Sequence, residues 1–167
     1  NWNSKKKIAF IFSHTFIDGN FVLGWRLFKD NYTWLKETLK HISKDTKVNW
    51  LVKPHPMDFH YKKILKFNTS DLIEEFSKKY KHIKVCPNYM SMNTVKNLAN
   101  TIVTSHGTAA LEFGSLGTPI IMAARSQFSK PVFNFKYYKS KREYFSKLDN
   151  AYKLKKLSFK ISNKAKI

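Results

Sequence analysis

Val103–Ile121 reads VTSHGTAALEFGSLGTPII and changes character twice. It opens as a buried strand, passes through small polar residues and a glycine, runs as a short helix, and becomes a strand again. A strand–turn–helix–strand passage of this kind is one βαβ unit, so the question is whether the rest of the chain supplies others.

It does. Upstream, Ser91 to Asn100 reads as a helix leading into a strand at Thr101–Ser105, with helix from Thr108 to Leu116 and strand from Pro119 to Met122. Earlier still, Ile83–Cys86 is a short apolar strand, and Ser70–Tyr80 (SDLIEEFSKKY) is an amphipathic helix with early acids and late lysines. Val48–Val52 (VNWLV) is a strand stopped by Lys53-Pro54-His55-Pro56, because neither a ladder nor a helix continues through two closely spaced prolines. Trp34, Leu35, Leu39 and Ile42 recur at helical spacing over Asn31–Ser43, with Asp30 or Asn31 placed to cap. Lys7–Ser13 (KIAFIFS) is a strand buried on both faces, and His14–Gly24 is a loop. Helical segments at Glu143–Leu148 and Ala151–Leu157 close the chain. The predicted fold is α/β: a Rossmann-like three-layer α/β/α domain with a mainly parallel sheet, one domain over residues 1–160 and a frayed tail over 161–167.

In such sheets ligands sit beyond the carboxyl ends of the strands. Four post-strand segments are therefore expected to gather at one rim: His14–Gly24, Lys53–Asp58, Asn88–Ser91 and Ser105–Thr108. The last combines free helix-start amides with a glycine and two hydroxyls, Ser105 and Thr108, which suits a phosphate or carboxylate. Glu112 lies one turn along the helix, placed to accept from a ribose diol. The same residues also suit an ordinary capped helix, with Glu112 supporting the first turn. In VKPHP, His55 is held rigid between prolines beside Lys53, either to donate to a phosphate or base or as a loop histidine without duty. His14 and Asp18 form a pair able to orient a proton transfer, although Asp18-Gly19 is equally turn chemistry. No P-loop, no G-x-G-x-x-G and no metal motif is present; His55 and His60 have the wrong spacing for ligands.

At 167 residues, with 43% hydrophobic and 16% aromatic residues, the chain is not disordered. No apolar run approaches the roughly 18–20 residues of a membrane span, and no signal-peptide pattern opens it. The start at Asn1 implies a piece of something longer. Lys and Arg number 31 against 11 Asp and Glu, a net charge of +20. Only Arg26, Arg125 and Arg142 are arginine, and sequence-specific nucleic-acid readers lean on arginine. The charge therefore points to anionic substrates or membrane headgroups rather than to specific nucleic acid. The lone Cys86 gives no disulfide framework, which fits a reducing, cytoplasmic setting, with peripheral contact at the inner membrane face.

VKPHP, followed by VTSHGTAALEFGSLGTPII, resembles the C-terminal domain of GT-B glycosyltransferases. The nearest likeness is to the bacterial capsule and surface polysaccharide biosynthesis group, which includes Kdo-transferase-like enzymes. IAFIFSHTFIDGNF looks like that group's His-x-Phe-x-Asp loop and KREYFSKL like its late Glu-Tyr-Phe stretch, so the resemblance runs from Lys7 to Leu148. It implies half of a GT-B architecture that binds a CMP- or UDP-linked sugar as substrate, with no further cofactor and no metal. By the same resemblance His55 and Pro56 contact the nucleotide, with Lys53 beside them, Ser105, Gly107 and Thr108 hold its phosphates, and Glu112 lies near the ribose. His14 and Asp18 line the catalytic cleft facing an acceptor half, through which a glycan or lipid-linked acceptor would arrive. Two departures stand out: His106 occupies a position where relatives carry small or variable residues, so that its side chain is expected to point away. The stretch AARSQFSKPVFNFKYY lacks the expected glycine-rich turn. A CDP-glycerol-type glycerophosphotransferase or the half of a UDP-sugar epimerase carries similar elements. A basic module docking nucleic acid or membrane is the non-enzymatic alternative.

Overall fold

The computed structural model describes residues 2–17, 26–128, 138 and 140–158. Five strands, β1 (Ile8–Phe12), β2 (Asn49–Lys53), β3 (Ile83–Val85), β4 (Ala99–Thr104) and β5 (Ile120–Met122), form one sheet in the order β3-β2-β1-β4-β5. Every pairing is parallel. The helices are α1 (Asn31–Ile42), α2 (Asp58–Tyr61), α3 (Thr69–Lys79), α4 (Met92–Leu98), α5 (Ala109–Gly114) and α6 (Lys141–Asp149), with a 3-10 turn at Ala151–Lys153.

Alternation along the strands creates the layers, since successive side chains leave a strand on opposite faces. Ala9, Ile11, Trp50, Val52, Val103 and Ile121 pack on one face with Trp34, Leu35 and Leu39 of α1, Leu72 and Ile73 of α3, and Tyr144 and Leu148 of α6. Phe10, Leu51, Ile102, Ile120 and Met122 pack on the other with Val95 of α4 and Ala109, Ala110 and Phe113 of α5. This is the Rossmann-like three-layer α/β/α arrangement the sequence predicts.

Local signals fix the helix starts. The Asp30 carboxylate accepts the Thr33 amide proton at 2.7 Å, and Asn68 and Asp71 form a reciprocal capping box on α3. Ser91 caps α4 and Ser140 caps α6 through the amides of Thr94 and Glu143. The structure also departs from the sequence reading. The helix expected to run through Asn100 gives way at Ala99, where the chain joins the sheet; Ile8 pairs with Ala99 but Ala9 with Thr101, and the Asn100 amide oxygen takes the Ile8 amide proton at 3.2 Å. The helix expected over Ala151–Leu157 shrinks to the single 3-10 turn. The tail 161–167, most of the His14–Gly24 loop and much of the stretch after Met122 lie outside the described residues.

Candidate functional site

The strand order reverses direction between β1 and β4: successive strands step one way from β1 to β3, then the chain returns to the far side of β1. At that point the two adjacent post-strand turns splay apart and leave a crevice. A cavity of about 440 Å³ occupies it, walled by the ends of β1, β2 and β4 and by the start of α5. His14, Lys53, His55, Pro56, Gly107, Thr108 and Glu112 all line it, together with the apolar Phe12, Met92 and Phe128. Residues that are 90 positions apart in the chain thus meet in one hollow.

His14 is the hub of the floor. Its ring stacks on His106 at 4.0 Å between centroids and lies 6.3 Å from His55, while Trp34 meets it edge-on at 5.9 Å. The Thr104 hydroxyl lies 2.9 Å from His14 Nε2, and the His106 amide donates to the same nitrogen at 3.4 Å. The Gly107 amide in turn donates to Thr104 Oγ1 at 3.3 Å. An amide N–H can only donate, so Nε2 is an acceptor and the ring proton sits on Nδ1. Burial, reinforced by the neighbouring His106 and His55, lowers the His14 pKa well below the ordinary histidine range. His14 is therefore neutral, with its basic nitrogen committed to the 104–107 turn. It positions that turn; Asp18, its expected partner in proton transfer, lies outside the described residues.

The turn packs tightly on this ring. A Cβ at Gly107 would stand 2.9 Å from His14 Cε1 and 3.0 Å from Thr104 Oγ1. The need for glycine here thus comes from the histidine beneath it, and its φ is not positive; among the described glycines only Gly117, at φ 85, is left-handed. Thr108 follows as the residue preceding α5, exposed and without a side-chain capping bond. Among the described residues neither the Thr108 nor the Ala109 amide has a protein acceptor, whereas Ala110, Leu111 and Glu112 donate back to Gly107 and Thr108. Two donors are thus left at the helix start where the cavity opens, with the exposed Glu112 carboxylate one turn along.

The opposite wall is Lys53–Pro56. His55 Nδ1 accepts the Met57 amide proton at 3.2 Å, so its neutral ring carries the proton on Nε2 as a donor. Among the described residues, the Lys53 ammonium finds its hydrogen-bond acceptor in the Met90 carbonyl, at 3.5 Å. Asp58, just beyond, is buried and accepts from the Thr69 hydroxyl and the Ser70 amide, which rivets the loop to the start of α3. A second hollow of about 370 Å³ lies on the far side of the same wall, lined by Lys53, His55 and Pro56 on one side and Asn68, Ser70 and Asn88 on the other.

Ser105 does not reach the main cavity. It is buried, its hydroxyl 3.2 Å from His106 Nδ1, and it lines a small recess with Arg26 and Asn31 behind the turn. Adjacent residues of an extended segment face opposite ways, so Thr104, not Ser105, is the hydroxyl built into the cleft. His106 is the converse: expected to point away, it forms part of the cleft lining, stacked on His14. Among the described residues no cluster of three or more His, Cys, Asp or Glu side chains is arranged to hold a metal ion. Among them, too, no helix is long and apolar enough to cross a membrane. Set against known proteins, the chain matches no family model, no curated protein and no solved structure.

Proposed function

We propose that this chain is the donor-binding domain of a glycosyltransferase of the GT-B type, acting in capsule or surface polysaccharide synthesis, and that the cavity beside Gly107 receives its nucleotide-activated sugar. The observation that supports it best is the meeting of VKPHP and the 104–112 turn across one crevice at the switch point of a parallel sheet. In this reading the Thr108 and Ala109 amides, the Lys53 ammonium and His55 Nε2–H face the phosphate. They stabilise the negative charge that grows on it as the anomeric bond breaks. Glu112 accepts from the ribose hydroxyls, and Phe12, Met92 and Phe128 offer apolar surface to the base. His14 and His106 form the floor that holds the turn in register. The acceptor and its general base belong to another part of the enzyme.

Titration calorimetry with CMP, UDP and CDP tests this. One of the three is expected to bind, with affinity falling by about tenfold or more in Lys53→Ala and His55→Ala, the range for loss of a hydrogen bond to a charged group. Ser105→Ala is expected to leave it within a few fold. Binding of none of the three nucleotides, or binding indifferent to both wall substitutions, overturns the reading.

A further inference from the structure

Residues 57–67, MDFHYKKILKF, follow the proline wall and form α2 and the turns after it. They are conspicuous for what they leave in solvent. Phe59 is 80% exposed and Ile64 74%, with Met57 and Phe67 each more than two-fifths exposed. Lys62, Lys63 and Lys66 stand exposed among them. The one acid of the segment, Asp58, is buried and turned inward onto Thr69 and Ser70, so its charge does not offset the lysines at the surface.

We infer that this segment is a docking surface for an anionic lipid bilayer. Large apolar side chains interleaved with lysines match a surface that is negative at its headgroups and apolar just beneath; the nearest exposed acids, Glu74 and Glu75, flank the segment only at its Phe67 end, beside Lys78 and Lys79. Lysine stems lie along apolar surface while their ammonium groups stay in water, which lets both residue types engage one plane together. A nucleic acid would satisfy the lysines but give nothing to the aliphatic Ile64 and Met57. The location adds to the case. Phe59 and Lys62 line the second hollow, which shares Lys53, His55 and Pro56 with the main cavity. Seating the segment on a bilayer brings that wall of the crevice to the lipid surface. The inference does not depend on which nucleotide, if any, the crevice binds.

Co-sedimentation of the chain with vesicles tests it, using phosphatidylcholine alone and an equimolar mixture with phosphatidylglycerol. The chain is expected to sediment with the anionic vesicles and not with the neutral ones. Lys62→Gln/Lys63→Gln is expected to lower partitioning about 25-fold, at about fivefold per lysine near the surface. Phe59→Ser/Ile64→Ser, which leaves the charge unaltered, is expected to lower it at least tenfold. Lys40→Gln/Lys44→Gln removes the same charge near the end of α1, at the opposite end of the strands where β2 begins, and is expected to change it less than threefold. All the substituted side chains are exposed, and circular dichroism identical to the parent chain checks that each variant folds. Absence of vesicle binding, full binding by the apolar variant, or an equal loss in the α1 control overturns the inference. So does a chain whose exposed segment proves to mediate self-association without lipid.

Discussion

His14 sits where a protonated imidazolium would be costly: it is buried, stacked on one histidine and near a second, and its Nε2 already receives a hydroxyl and an amide. Its folded pKa lies below the ordinary value of about 6.5. As the pH falls below about 6.5 the unfolded chain takes up a proton that the folded chain refuses. Stability is therefore complete above that pH and is lost on acidification, by up to about 1.4 kcal/mol per pH unit until the folded pKa is reached. Urea unfolding between pH 7.5 and 5 is expected to show a shallower pH dependence in His14→Gln than in the parent chain; equal slopes would assign the effect to other groups. At this scale the sequence was legible in part. His14, Lys53, His55 and Gly107 could be picked out because prolines, a glycine and strand ends mark their positions. Which of Thr104 and Ser105 faces the crevice, and that His106 closes on His14, depends on the exact strand end and on a partner 92 residues away, which no local pattern encodes.

At the scale of the element, the Tyr144 hydroxyl is the buried link between α6 and α1, beside the outer Lys141–Glu37 ion pair and the His41–Asp149 hydrogen bond. Trp34 Nε1 donates to Tyr144 Oη at 3.0 Å, and Thr38 Oγ1 lies 3.0 Å from the same oxygen. Burial pushes the Tyr144 phenol well above its ordinary pKa, so it stays neutral and able to donate. Tyr144→Phe keeps the packing but leaves two buried polar groups without their partner. It is expected to cost about 1–3 kcal/mol in urea unfolding, and a loss under about 0.5 kcal/mol would show that water replaces the hydroxyl. Long periodic segments such as α1 and α3 were readable because their apolar spacing and capping residues agree. α2 escaped notice because four residues are too few for a period to show. The α4–β4 boundary moved because pairing with β1 captured Ala99 and Asn100 from the helix, a tertiary contact that outweighs local propensity.

Across the whole molecule, β1 is the central strand, flanked on both sides and covered on both faces. Phe10, fully buried between β1 and the α4–α5 layer, is expected to cost about 3–5 kcal/mol when changed to alanine. Val85→Ala on the edge strand β3, where the side chain is only half-buried, is expected to cost less than half as much. Comparable losses at the two positions in urea unfolding would count against a centrally organised sheet. The alternation of strands and helices made the layers and the parallel sheet predictable, and the strand-end rule placed the crevice at its rim. Sheet order was not written in any one segment; it emerges from which faces the helices cover.

Lys53–Pro56 is a partition between two chambers. Pro54 and Pro56 stiffen it, and the Asp58 carboxylate bolts its foot to α3, so it has little room to lean. Any change in the thickness of such a partition alters the dimensions of both rooms together, whereas Glu112 borders only the first and Asn88 only the second. Variation along those four residues would re-tailor two compartments in a single step, with the proline-held imidazole as their common boundary.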